Sequence, residues 1–308
     1  MLRLHARSML YFDMIRRCGS VREAARQLHV ASSAVNRQLL ELEDELGTPL
    51  FERLPNGMRL TAAGEIVARH VIAVLQDARR VEGELEALRG VRRGEVSVVA
   101  VEGVTSDLLP DVLAHMHERY PGVHVETRTM GSSSMTASVT SGDADVALGY
   151  SLPADPQLQC LAMGRFGIGA VVAPDHPLAG EGPLAFKECL PFRLILSEPE
   201  LSLYHLMQPL LQRYRDQFEV FTTTNSIELA KRLAERNLGI AFQTCIGLER
   251  ELEDGRLCHR LLSDRQLASS NLGAYVRAGR TLPPALDAFI RTVEAELRRR
   301  ERGVSPGR

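Results

Sequence analysis

The 308-residue chain contains no run of about eighteen apolar residues, so no segment reads as a membrane-spanning helix. Its opening, MLRLHARSMLYFDMIRRCG, scatters basic residues and lacks an apolar core followed by a small-residue cleavage site. A secretory leader is therefore not expected. The cysteines (Cys18, Cys160, Cys189, Cys245 and Cys258) are odd in number, widely spaced and form no C-x-x-C pair. That usage suits a reducing cytoplasm better than a disulfide framework or a zinc site. Catalytic signatures are missing too: there is no H-E-x-x-H, and GSSS at 131–134 carries neither G-x-S-x-G nor a phosphate-loop lysine. His115 and His117 lie two apart on a helical pattern, so their rings diverge and read as surface histidines rather than metal ligands. No enzyme, no cofactor and no metal site is expected. Cys245 follows the extended run GIAFQ, where a redox sensor and a buried inert thiol are the alternatives, the second favoured.

What is present reads as a globular chain of two or three domains, with 44% apolar and 25% charged residues. The net charge of −2 hides an asymmetry: residues 1–93 carry 15 Arg against 12 acids, and the remainder 22 basic against 27 acidic residues. A mildly basic front suits a nucleic-acid-binding head, although alone the bias is weak.

Residues 19–47, GSVREAARQLHVASSAVNRQLLELEDELG, hold two helical patterns separated only by HVAS. Before them Met9, Phe12 and Ile15 mark one face of a helix. Ser20 with Glu23 is a capping box, opening a helix whose Val21, Ala24, Ala25 and Leu28 face inward. Ser32 or Ser33 can cap the next helix, whose Val35, Leu39, Leu42 and Leu46 form a buried stripe ending at Gly47. LPNGMRLT then pairs two extended runs across Asn56-Gly57. Together these elements predict a winged helix-turn-helix. In that geometry the second helix of the motif enters the major groove N-terminus first. Ser32, Ser33, Asn36 and Arg37 lie at that end and off the apolar stripe, while Arg53, Asn56 and Arg59 belong to the hairpin. Asn pairs bidentately with adenine, and Arg with guanine or phosphate. The plainer alternative is that any capped helix exposes polar residues in its first turn.

After Thr61, a candidate cap, a helix is predicted to about Arg89, with Val67, Val71, Val74, Ala78, Val81, Leu85 and Leu88 spaced 4, 3, 4, 3, 4 and 3 apart. Such a seam asks for a partner helix and so for a dimer, packing within the subunit being the alternative. GVRRGE at 90–95 reads as a hinge. Beyond it EVSVVAV, HVETRTM, DADVALGY, GIGAVVA, FRLIL, EVFTTT, GIAFQ and LGAYV alternate with helices, which predicts an α/β domain with largely parallel sheets.

The stretch from Gly19 to Glu65 resembles the N-terminal signature of LysR-type transcriptional regulators, and APDHPLA at 173–179 and ERNLGIAF at 235–242 resemble that family's effector domain. The resemblance spans nearly the whole chain. It implies an α+β multidomain protein: an N-terminal winged helix-turn-helix, a long linker helix and a C-terminal two-lobed α/β effector domain like a periplasmic binding protein. The expected divisions are 1–64 for the DNA-binding domain, 65–93 for the linker helix and hinge, and 94–302 for the effector domain, with 303–308 a flexible tail. Within the effector domain, lobe one would hold 94–165 and 271–302 and lobe two 166–270, with crossings near Phe166-Gly167 and Ser269-Ser270. The family also implies double-stranded DNA and a small-molecule effector as partners, and homo-oligomers that are dimeric through the linker helix and typically tetrameric. Where the family often has Ser-Gln and then Pro or Ser, this chain has Ala31, Ser32 and Ser33; it has Asn36 for Ser, and Asn56 where the wing often carries Arg. Its DNA sequence preference is therefore not carried over.

The family's cleft maps onto Thr105 and Ser106; Gly131, Ser132 and Ser133; Ser197; and Thr224, Asn225 and Ser226. Backbone N–H groups at those helix starts suit a carboxylate or another polar group. The alternative is that Ser, Thr and Asn stand there simply as caps. The expected function is a cytoplasmic, sequence-specific DNA-binding regulator modulated by an effector between the lobes. A small-molecule carrier is the rival, and it would need neither the recognition helix nor the heptad seam.

Overall fold

A computed structural model of the chain describes residues 7–55, 57–88, 93–264, 267 and 270–304. These form two compact units, the first holding α1 to α4 with residues 141–143 and 279–284, and the second the rest of β3 to α10.

In the first unit α1 (Arg7–Cys18), α2 (Val21–Gln27) and α3 (Ser32–Leu46) are followed by the hairpin β1 (Phe51–Leu54) and β2 (Gly57–Leu60), then by α4 (Ala62–Leu88). Phe12, Ile15, Ala24, Ala25, Val35, Leu39, Leu50, Phe51, Ala68 and Val71 make its core. Ala24 and Ala25 are fully buried, as close helix crossing requires. Ser20 caps α2, its hydroxyl accepting from the Glu23 N–H at 3.4 Å. The other half of the expected box is not made: the Glu23 carboxylate turns to Arg26 and Gln27, whose hydrogen bonds hold it at a pKa of about 2.

Three local expectations need correction. Helix α3 is preceded by Ala31 as its N-cap, with no side-chain cap bond, so neither Ser32 nor Ser33 caps it. Leu42 is half-buried and Leu46 is 47% exposed, because the head's core is filled by Val35 and Leu39 before the stripe reaches the helix end. The hairpin register pairs Leu54 with Gly57, so Gly57 opens the second strand rather than sitting in the turn. Gly57 has φ +138°, and a Cβ there would stand 2.6 Å from the Gly19 carbonyl oxygen. That carbonyl accepts from the Met58 N–H at 2.8 Å, fastening the wing to the end of α1.

Thr61 caps α4 as expected, accepting from the Gly64 N–H at 3.0 Å. The helix has 27 residues, roughly 40 Å at 1.5 Å per residue. Its first turns belong to the head, which buries Ala68 and Val71; beyond them Val74, Ala78 and Val81 are half-buried and Leu85 is exposed. Residues 89–92, which include the first half of the expected hinge at 90–95, lie outside the described residues.

The second unit has two lobes. Lobe one contains β3 (Arg93–Ala100), α5 (Leu108–Arg119), β4 (Gly122–Thr129), α6 (Ser132–Thr140), β5 (Val146–Tyr150), β6 (Leu158–Phe166), β12 (Ser270–Arg277) and α10 (Pro284–Val304). Its sheet runs β4-β3-β5-β12-β6. Strand β3 is parallel to β4 and β5, whereas β12 is antiparallel to both β5 and β6. Lobe two contains β7 (Gly169–Val172), β8 (Arg193–Ser197), α7 (Ser202–Arg213), β9 (Glu219–Thr224), α8 (Ile227–Glu235), β10 (Ala241–Gln243), α9 (Glu249–Glu253) and β11 (Cys258–Leu261). There β10-β7-β11 is antiparallel, while β8 and β9 are parallel and joined to the residue before β10 by a parallel bridge between Leu194 and Ile240. Both lobes are thus mixed rather than largely parallel. The antiparallel members arise because the chain leaves lobe one by β6 and returns by β12. Phe166 and Ser270 pair in that ladder, so each belongs to lobe one, a one-residue correction at either crossing; residues 268 and 269 lie outside the described residues. Helix α10 reaches Val304, two residues into the expected tail; residues 305–308 are not among those described.

Candidate DNA interface and effector cleft

The first turns of α3 carry the expected DNA-facing residues. Ser32, Ser33 and Arg37 are exposed and Asn36 is half-buried, and Val35 and Leu39 on the opposite face anchor the helix. Arg53, on the strand entering the wing, donates from Nη2 to the Asn36 Oδ1 at 3.0 Å. The two strongest candidates for base and phosphate contact are therefore joined, which spacing could not reveal across 17 residues. Arg37 stands 3.7 Å from Glu41 and Arg59 2.8 Å from Glu52, both pairs well exposed. Exposed pairs of this kind are worth little, so phosphates can compete for either guanidinium. Asn56 lies outside the described residues.

In the second unit a cavity opens between the lobes. Lobe one contributes Val101, Glu102, Gly103, Ser132, Tyr150 and Ser270, and lobe two contributes Leu201, Ser202, Leu203, Leu206, Ile227, Gln243, Thr244 and Ile246. It leaves about 50 Å³ for the centres of water-sized molecules. The strand ends place these groups: Val101 to Gly103 follow β3, Tyr150 ends β5 and Gln243 ends β10. Ligands of open α/β sheets sit at such carboxyl ends.

Glu102 organises the cleft. Its carboxylate accepts from the Ile227 N–H at 2.7 Å, the Glu228 N–H at 3.2 Å and the Ser226 hydroxyl at 3.0 Å. A lobe-one carboxylate thereby occupies the N-terminus of lobe-two helix α8, where orphan N–H groups and the helix dipole favour negative charge. Nearby the Tyr150 and Thr244 hydroxyls, both buried, bond each other across the lobes at 2.7 Å. Burial pushes the Tyr150 hydroxyl well above the ordinary tyrosine range. Gly247, at φ +79°, lets the backbones of the two lobes meet, since a Cβ there would overlap the Gly103 carbonyl.

Of the nine residues carried over as effector contacts, only Ser132 lines this cavity. The Thr105 hydroxyl is spent on the Glu102 carbonyl at 2.7 Å, and Ser106 is exposed beside a charged pocket with Asp107, Lys231 and Arg250. Gly131 is pressed against the Glu200 carbonyl, Ser133 and Asn225 are exposed, and Ser197 lines a separate small pocket with Leu203 and Met207. Thr224 is buried and accepts from the Ser226 N–H at 3.1 Å, and Ser226 caps α8 through the Leu229 N–H at 3.2 Å. Capping therefore accounts for these two. The missed residues, Glu102 and Gln243 above all, had one signal in the sequence: each is a polar residue at or just past the end of an apolar strand, in VVAVEG and GIAFQ. Cys245 is pushed up to about 12, chiefly by burial, which makes it a poor thiolate and favours the inert reading. Among the described residues no group of acids, His and Cys could hold a metal, and no helix is long and apolar enough to cross a membrane.

Residues 6–65 match the family described as bacterial regulatory helix-turn-helix protein, lysR family, and residues 89–298 match the LysR substrate binding domain. The chain belongs to the LysR family. It is a DNA-binding transcriptional regulator with a C-terminal effector-binding domain, of a family that is not enzymatic in general. It is 28% identical over 295 residues to the RuBisCO operon transcriptional regulator of Allochromatium vinosum, covering 95% of this chain and 96% of that one. It is 25% identical over 283 residues to the uncharacterized HTH-type regulator YfiE of Escherichia coli K12, covering 90% and 93%. A full-length OxyR variant from Pseudomonas aeruginosa aligns with a TM-score of 0.73 at 16% identity, covering 93% and 96%. Full-length CbnR, solved with its target DNA, aligns with a TM-score of 0.55 at 19% identity, covering 94% and 99%. At those identities the two structures speak to the fold alone.

Proposed function

We propose that this LysR-family regulator reads its operator in the cytoplasm through the exposed first turns of α3, with Ser32, Ser33, Asn36 and Arg37 at base edges and Arg53 and Arg59 on phosphates. The apolar residues of α4 beyond the head pair two subunits, and two such dimers form a tetramer. A small molecule held between the lobes of the second unit sets the DNA response, with binding rather than catalysis as the chemistry throughout. The observation that carries this reading is the cavity lined from both lobes in the same chain as a helix-turn-helix whose third helix is tied to its wing by Asn36 and Arg53.

A gel shift with the DNA upstream of this gene and of its neighbour, at several salt concentrations, tests it. Specific retardation that a metabolite fraction alters in footprint or affinity is the expected result. Equal affinity for these duplexes and for scrambled ones, with and without metabolites, would sink the proposal.

A further inference from the structure

We infer that the cleft takes a small uncharged ligand, with an apolar body and a hydrogen-bond-accepting group, and turns away free carboxylates. The inference rests on the effector reading above and names the chemistry of that site.

Three observations converge. The helix start that would greet an anion is already filled: Glu102, on the cavity wall, holds the Ile227 and Glu228 N–H groups and the Ser226 hydroxyl. A ligand carboxylate entering here would face a like charge and would have to break those bonds to gain the same partners. No compensating cation is at hand, because among the described residues lining the cavity none is Lys, Arg or His. The buried Lys231 is committed elsewhere in lobe two, to the Gly247 carbonyl and to Glu251.

The cavity does present polar groups without partners. The Gln243 Nε2 and the Ser132 hydroxyl have no hydrogen-bond partner among the described residues, although the two residues are only 5% and 7% exposed. Gln243 comes from β10 of lobe two and Ser132 opens α6 of lobe one. An amide N–H can only donate, so the group that completes the Gln243 Nε2 is an acceptor such as an amide, ketone or hydroxyl oxygen. Unpaired buried donors are costly, and a ligand that satisfies one on each lobe gains most when the lobes are together. Leu203, Leu206, Ile227 and Ile246 supply the apolar walls. The space, about 50 Å³ for water-sized centres, fits a compact molecule of a few heavy atoms in this arrangement of the lobes.

The test compares isobutyramide with isobutyrate, which match in shape and differ in charge. Binding to the full-length protein is followed by saturation-transfer NMR in the native chain and in the Gln243→Leu, Ser132→Ala and Glu102→Gln variants, each checked for a cooperative melt. The amide should bind about tenfold or more tightly than the carboxylate, and Gln243→Leu should weaken it by about tenfold, the cost of one buried unpaired donor. Ser132→Ala, a smaller change, should weaken it in the same direction if Gln243→Leu fails to fold. Glu102→Gln should narrow the gap between the pair. Isobutyrate binding as tightly as the amide, with the same dependence on Gln243 or Ser132, would overturn the ligand class and leave the effector reading standing. Binding of neither compound at tens of millimolar would overturn the class as well. Failure of the effector reading has a different signature: ligands of either charge bind in the cleft, and the DNA footprint never changes.

Discussion

Replacing Glu102 by Ala isolates the contact on which the cleft turns. The carboxylate accepts three hydrogen bonds of 2.7 to 3.2 Å from the first turn of α8 and the Ser226 hydroxyl. Charge-assisted bonds contribute about 1.5–3 kcal/mol each when counted singly, and a negative charge at a helix start adds about 0.3–1 kcal/mol. These do not sum here. Glu102 is half-buried, water can reach the freed N–H groups, and Ser226 still caps α8 through the Leu229 N–H. A net loss of about 1–3 kcal/mol is the defensible range. For a unit of this size that lowers the melting temperature by about 2–4 °C per kcal/mol. Because the bonds cross between lobes, part of the loss should show as easier opening before global unfolding. Calorimetry gives the first readout, and hydrogen exchange at the Ile227 and Glu228 amides gives the second, with faster exchange in the variant. A melt within 1 °C or so of the native chain, together with unchanged exchange at both amides, would refute the assignment of Glu102 as the bridge.

Asn36→Ala should weaken specific DNA binding by about 1–3 kcal/mol if the amide reads a base, and Arg53→Ala should weaken specific and random duplexes alike and reduce the salt slope. Since the two side chains are bonded, their double variant should cost less than the sum of the singles, as a binding titration of all four proteins will tell. Val74→Asp with Val81→Asp should abolish dimers in sedimentation while the second unit stays folded; an unchanged mass would place the seam within its own subunit. Lys231→Met leaves the buried Glu251 carboxylate with only the longer Arg256 contact at 3.9 Å, at a cost of up to about 3–5 kcal/mol in chemical denaturation, and adding Glu251→Leu should recover much of it. Asp107 is pushed up to about 6, first by burial and then by the neighbouring Glu249, so the folded state binds its proton more tightly than the unfolded chain does. Stability from this group is full below the ordinary value near 3.8 and is lost as pH rises through about 6. Asp107→Asn should flatten the stability profile across that window, and a profile that keeps its slope would discredit the assignment.

The DNA-binding head was legible because its signals are local. Ser20 before an apolar period, Thr61 before the long helix and the alanines at the helix crossing act within a turn or two of themselves. Where the sequence misled, a distant contact decided the outcome. Leu46 keeps the spacing of a buried stripe and is left in solvent, since the head's small core is already closed by Phe12, Ile15 and Val35. Strands β6 and β11 escaped notice because LQCLAMGRF and CHRL hold few β-branched residues; they are strands through their neighbours β12 and β7. The cleft was the least legible part. Thr105, Ser197 and Thr224 have the right residue types near the right strands, yet their hydroxyls or positions serve turns, caps or another pocket. Glu102 could not be placed in sequence, because its three partners stand 124 to 126 residues away.

Those partners also limit what an effector can do. The lobes are already held by Glu102 on α8, by Tyr150 with Thr244, and by the close approach of Gly103 and Gly247. A ligand shifts the lobe equilibrium only by its difference in affinity for the two states, and a tenfold preference is about 1.4 kcal/mol. That is of the same order as the Glu102 bridge. An effector completing Gln243 and Ser132 would therefore add a second bridge of comparable strength beside the first. One that broke into the α8 start would have to overcome the first before gaining anything. Closure reinforced through Gln243 and Ser132 is consequently the less demanding route. The lever for the protein is short as well, because Ser270 lines the cavity and pairs with Phe166 where both crossings leave lobe one. A change in how a ligand seats against Ser270 would act on a lobe-one residue that stands directly beside both crossings.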